Sequence, residues 1–256
     1  MWRNIRLTIL VGILFFVGVG SWLQQYRASS WEYTVRVGAF PVSADGSAVA
    51  AAYIGKLSEA QLQPVGDFIA REAHRYGVAL DEPVEIKLYP PLSVAPPALD
   101  PDANVLSRVV WSLRLRHYRS QALSTVARAQ PQIALFLAYH DPASAPVLPH
   151  SVGLQRGLMG VVHLFATSAQ DAQNTVVTAH ELLHTFGATD KYVGDGTPLF
   201  PEGYAEPQRV PRYPQHYAEI MAGRVPLSPD RQEMPDDLSQ TVVGPTTARE
   251  IGWIKH

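Results

Sequence analysis

The apolar positions of this chain fall into three kinds of pattern, and each predicts a different element. Leu7 to Leu23 (LTILVGILFFVGVGSWL) is apolar without a polar face or a charge, behind Arg3 and Arg6. A run of that length suits a bilayer-spanning signal anchor, with residues 1–6 cytoplasmic, 24–30 a linker and the rest outside the membrane. Trp2 and Trp22 stand near its two ends, as interfacial aromatics do. Cleavage near Ser30 is the competing outcome and would release the chain. Alternation with period two predicts strands at Glu32–Phe40 and Val84–Leu88, and the solid apolar run Gln132–Tyr139 predicts a central strand buried on both faces. Gly157–Ala166 reads as an edge strand, with His163 a packed or exposed histidine. Spacing of three and four predicts helices at Leu57–Tyr76, Asn104–Tyr118 and Asn174–Phe186, with a last one at Gly244–Trp253 capped near Thr246 or Thr247.

Strand and helix alternate up to the third of these helices, which predicts an α/β (α+β) fold with a twisted mixed sheet. Residues 31–256 are read as one domain, extracytoplasmic or periplasmic and held at the cell membrane by the anchor. The Pro-rich stretch Pro90–Pro101 and the Pro- and Gly-rich chain beyond Tyr192 are irregular. The arginines of the second helix (Arg108, Arg114, Arg116, Arg119) read as a solvated face.

Composition removes several chemistries. The net charge is −2 and no basic stripe exists, so no nucleic-acid partner is indicated. The chain has no cysteine, which excludes disulfides, thiolate metal ligands and a cysteine nucleophile.

The chemistry is concentrated in TAHELLHTFGATDKY, Thr178 to Tyr192. Four residues apart on a helix, His180 and His184 present both imidazoles to one point, an arrangement that suits Zn²⁺. Glu181 sits one step round the helix, where it can take a proton from a water activated by the metal but is badly placed to be a ligand. Gly187 ends the helix and turns the chain, so that the carboxylate of Asp190 can return to the metal.

The pattern His180-Glu181-x-x-His184-x-x-Gly187-x-x-Asp190 resembles the metzincin signature, with Asp in the place of the third His. It is similar in this to the snapalysins and to peptidases of the immune-inhibitor-A and IgA-protease types, in which a Tyr often follows; Tyr192 agrees. The resemblance covers about fifteen residues. It implies a metzincin-like zincin fold with an irregular C-terminal subdomain, one catalytic Zn²⁺ on His180, His184 and Asp190, and Glu181 as general base of a zinc endopeptidase acting on proteins or peptides. It also implies a methionine turn, for which Glu219-Ile220-Met221-Ala222-Gly223 is the candidate, centred on Met221. No Tyr follows Met221 two positions later, so a tyrosine ligand is not carried over. The strand containing Gly160 and Val161 would lie over the cleft and pair with extended substrate. Tyr192, Tyr204, Tyr213 and Tyr217 are the candidate donors to a developing oxyanion. Two rivals remain: a hydrolase of gluzincin type whose third ligand is Glu202, Glu206 or Glu219, and a non-catalytic, membrane-tethered module stabilised by zinc.

Overall fold

The computed structural model describes residues 25–100, 102–126, 130–194 and 196–255, with positions 6, 12, 19 and 20 besides. The expected spanning run 7–23 therefore lies outside the described residues, apart from three isolated positions. Among the described residues no helix is long and apolar enough to cross a membrane. Residues 25–29, within the expected linker 24–30, are helical. Ala28 is buried, and the Trp31 indole N–H donates to Ile251 O at 2.7 Å.

A five-stranded sheet organises the molecule: β1 (Val35–Ser43), β2 (Val84–Leu88), β3 (Ile133–His140), β4 (Val152–Leu154) and β5 (Met159–Phe165). Their spatial order is β2-β1-β3-β5-β4, parallel except for the antiparallel pair β4–β5. Alternation along each strand splits the core in two. Ile133, Leu135, Leu137 and Tyr139 of β3 face one side, and Ala134, Phe136 and Ala138 the other. The first side is covered by α1 (Ala48–Ile54), α2 (Gln63–Arg75) and α4 (Asp171–Phe186), the second by α3 (Val105–Ser124). The chain is thus a mixed α/β protein with helices on both faces of one sheet.

Several boundaries move for local reasons. The first strand starts at Val35, since Trp31 takes a left-handed φ of 55° and bends the chain before it. The helix expected over Leu57–Tyr76 divides into a 3₁₀ turn (Glu59–Gln61) and α2, with Pro64 in the first turn of α2, where its missing N–H is harmless. α3 runs on to Ser124, capped at its start by Asn104 accepting from Ser107 N at 2.9 Å. α1 was not foreseen; Ser47 caps it.

One correction bears on the site. Gly157–Ala166 is not an edge: β5 is hydrogen-bonded to β3 on one side and β4 on the other. The edge belongs to the three-residue β4, which is too short to show a period. Gly160 and Val161 therefore lie inside the sheet, with both sides already paired. The C-terminal helix, α5, is also shorter than expected, Pro245–Glu250, and its N-cap Gly244 offers no side chain.

Candidate metal centre

α4 is amphipathic in the ordinary sense: its apolar side is buried and its two histidines stand on the side that is partly open. Val176, Ala179, Leu182, Leu183 and Phe186 enter the core, while His180 and His184 are 13% and 16% exposed. Gly187 stops the helix with φ 112°, its N–H returning to Leu183 O and His184 O. A side chain at Gly187 would be strained at that φ and would collide with the Gln155 amide. Beyond this turn the chain doubles back and delivers Asp190.

Three ligand atoms converge there. His180 Nε2 and His184 Nε2 are 3.1 Å apart, and Asp190 Oδ1 lies 3.2 Å from the first and 3.1 Å from the second. Ligands about 2.0–2.1 Å from a tetrahedral ion are separated by about 3.3–3.4 Å, so the triangle fits one face of such a tetrahedron with minor adjustment. The other ring nitrogens are fixed by the backbone. His180 Nδ1 is 2.9 Å from Ile220 O, and His184 Nδ1 is 2.8 Å from Ala188 O. Carbonyls only accept, so each Nδ1 carries its hydrogen and each Nε2 is the nitrogen aimed at the centre, able to ligate an ion once it carries no proton. The donor set, two imidazoles and a carboxylate, fits a divalent ion of zinc type.

Glu181 is buried beneath the triangle, and it also forms a group with the two histidines whose ligand atoms lie within 4.8 Å of one another. The triangle closed by Asp190 is the tighter of the two. Glu181 Oε2 has no hydrogen-bond partner among the described residues. Burial pushes the Glu181 carboxyl above the ordinary glutamate range, while His180 and His184 pull it down. Burial lowers His180, but the hydrogen bond it donates to Asp190 and the charge of Glu181 outweigh it and raise the imidazole to about 9. Asp190 goes the opposite way: burial raises it, and its contacts with both histidines hold it well below the carboxylate range.

The segment 219–223, expected as a methionine turn, reaches this centre through Ile220 O, which holds His180 Nδ1. Met221 is fully buried, and Ala222 N and Gly223 N both donate to Glu219 O at 2.9 Å, Gly223 having φ 67°. The Glu219 carboxylate accepts from Met221 N (2.6 Å), Ala222 N (3.1 Å), Gly244 N (3.0 Å) and Thr247 Oγ1 (2.7 Å). With four donors in the core it is turned away from the cleft, which removes it from the candidate ligands. Glu206 is engaged by His216, through N–H at 3.0 Å.

The remaining candidates separate clearly. Tyr192 lies beside the centre, its ring centroid 6.4 Å from that of His180; burial and the charges of Asp190 and Glu181 push its hydroxyl above the ordinary phenol range. Tyr217 is exposed and meets His216 edge-on, and Tyr204 and Tyr213 share a hydroxyl–hydroxyl hydrogen bond of 2.9 Å. No contact joins these three to the triangle among the described residues. His163 is packed against His140, Nδ1 to Nε2 at 2.8 Å.

Sequence reasoning missed two features. Gly153 in edge strand β4 lies so close to α4 that a Cβ there would collide with Glu181 O and the His184 side chain. The second is a clamp on the loop of Asp190. Lys191 Nζ donates to Glu250 Oε1 (2.8 Å) and Oε2 (2.7 Å), and Glu250 accepts from Thr189 N at 2.9 Å and Thr189 Oγ1 at 2.8 Å. The signal for Lys191 was present but weak: a lysine inside the motif, between Asp190 and Tyr192. No protein-family model matches the chain, and no curated protein matches it.

Proposed function

We propose that this chain is a zinc-dependent endopeptidase of metzincin-like type, HExxHxxGxxD, anchored in the cell membrane through residues 7–23. The observation that carries the reading is the triangle of His180 Nε2, His184 Nε2 and Asp190 Oδ1, all within 3.2 Å, with Glu181 buried beside it. His180, His184 and Asp190 would hold the ion, and Zn²⁺ there would supply Lewis acidity, polarising a substrate carbonyl and acidifying a water.

The chain's own residues do the rest. Glu181, raised by its burial, is poised to take a proton from the attacking water and hand it to the leaving nitrogen. Its neighbours His180 and His184 are held by Ile220 O and Ala188 O, so neither imidazole turns away while that proton moves. Tyr192, whose ring stands 6.4 Å from that of His180, is close enough to the centre to serve as the donor to a developing oxyanion. The antiparallel edge strand β4, beside α4, offers an extended peptide a strand to pair with; this role passes from β5 to β4.

The test uses the full chain in detergent or vesicles. Zinc content and digestion of an unfolded protein are measured for the native sequence and for Glu181→Gln. The expected result is equal zinc in both and hydrolysis lower by several orders of magnitude in the variant. Undiminished hydrolysis by Glu181→Gln would refute the base assignment, and absence of zinc from the native chain would refute the centre.

A further inference from the structure

α3 buries Trp111, Leu115, Ala122 and Leu123 against the sheet and turns the opposite side to solvent. That outer side is divided along its length. Its first half presents Val105 (80% exposed), Leu106 (72%), Val109, Val110 and Leu113 (61%). Its second half presents Arg114, Arg116 and His117, exposed Arg108 flanks the apolar half, and the whole helix has four arginines and no Asp or Glu. Burying each such apolar side chain is worth about 1.5–3 kcal/mol, so five together in water mark a contact surface.

Three observations identify what covers it. The charge of the helix is all positive, which complements an apolar phase edged with phosphate. The fold begins at the buried Ala28, five positions beyond the end of the uncharged run at Leu23. Five residues reach at most about 18 Å, so a bilayer crossed by that run lies close to the domain. Finally, the tether and α3 approach the C-terminal end of α4 from opposite faces of the sheet. Trp31 packs on Phe186 with ring centroids 4.7 Å apart, and the next residues, Gly187 to Thr189, line a recess together with Ser112 and Arg116 of α3.

We infer that the outer side of α3 lies in the interfacial layer of an anionic bilayer, with Leu106, Val109 and Leu113 among the acyl chains and Arg114 at the phosphates, Arg116 being turned to Arg156 O. The closeness of the bilayer rests on the anchor reading; the exposed patch and its charge do not.

The absence of cysteine makes a direct test simple. Leu106→Cys, Leu113→Cys and, as control, Val210→Cys (Val210 is 93% exposed) are made in the full chain and spin-labelled. Each is mixed with vesicles of phosphatidylcholine and phosphatidylglycerol, and collision with oxygen is compared with collision with a water-soluble nickel chelate. The expected result is a several-fold higher oxygen-to-nickel ratio at 106 and 113 than at 210. Equal access of nickel to all three labels, on chain that sediments with the vesicles, overturns the inference and leaves the anchor standing. Failure to sediment overturns both. Spin–spin broadening at 106 and 113 that disappears on dilution with unlabelled chain assigns the patch to a second copy and also overturns the inference.

Discussion

Lys191 and Glu250 form an ion pair, 2.7 Å from Nζ to Oε2, in which the lysine is 5% exposed and the glutamate 26%. Asp190 lies between the two residues, Thr189 and Lys191, that Glu250 holds. The position of a candidate ligand thus depends on a residue sixty positions away in the last helix. Outer partners of metal ligands are worth about 10–100-fold in metal affinity. Lys191→Met and Glu250→Gln are expected to weaken zinc binding by about that factor, measured by competition with a chelating dye. Breaking the pair leaves a largely buried charge, costing about 2 kcal/mol given the partial exposure of Glu250. Unchanged affinity in both variants would remove the clamp from the site.

Asp190→His is expected to keep zinc, because a third imidazole is also a suitable donor, while Asp190→Ala is expected to lose most of it. Metal analysis after dialysis distinguishes the two. Full retention by Asp190→Ala would make Glu181 the third ligand instead.

The metal-free centre is an ion pair between a raised His180 and a lowered Asp190, and this sets a pH dependence. A group raised from 6.5 to about 9 stabilises the fold fully below pH 6.5 and loses that contribution as pH rises through 9. The thermal midpoint of the metal-free chain should therefore fall across this window. Zinc uptake at neutral pH should release about one proton from His180, read by calorimetry in buffers of different ionisation enthalpy. Uptake without proton release would contradict the protonation assigned to His180.

Gly153→Ala places a methyl group against Glu181 O and the His184 side chain, and backbone on both sides leaves little room to yield. Overpacking of this kind costs about 1–3 kcal/mol. A lower melting temperature together with lost hydrolysis is expected. An unaltered protein would show that β4 stands further from α4.

Glu219→Ala would strip four donors of a buried acceptor. Each orphaned group costs about 1–3 kcal/mol, so loss of at least about 3 kcal/mol in denaturant midpoint experiments is expected. The Met221 turn and the N-terminus of α5 should loosen together, visible as faster amide exchange at both.

The parts legible in the sequence were those built from neighbouring residues. His180, His184, Gly187 and Asp190 make their arrangement through one helix and one turn, and the fully buried β3 reads as such because both its faces are apolar. The clamp escaped because Lys191 and Glu250 share no period or motif. β4 escaped because three residues cannot display alternation, and α1 (AVAAAYI) because alanine gives no polar contrast. α3 was recognised as a helix with its arginines on a solvated face, but its exposed apolar half was not: large apolar residues stand on both sides, and only packing decides which of them meets the sheet.

His180, His184 and Asp190 lie within eleven consecutive positions. Closing so short a segment costs about 2 kcal/mol of chain entropy, little more than the confinement of one or two residues. An ion can accordingly be captured by a chain that has formed α4 and the bend after it but not yet docked its C-terminal third. Assembly would then run from ligand to scaffold: the cation gathers the three donors first, and Ile220, Glu219 and Glu250 arrive afterwards to lock an already loaded nucleus.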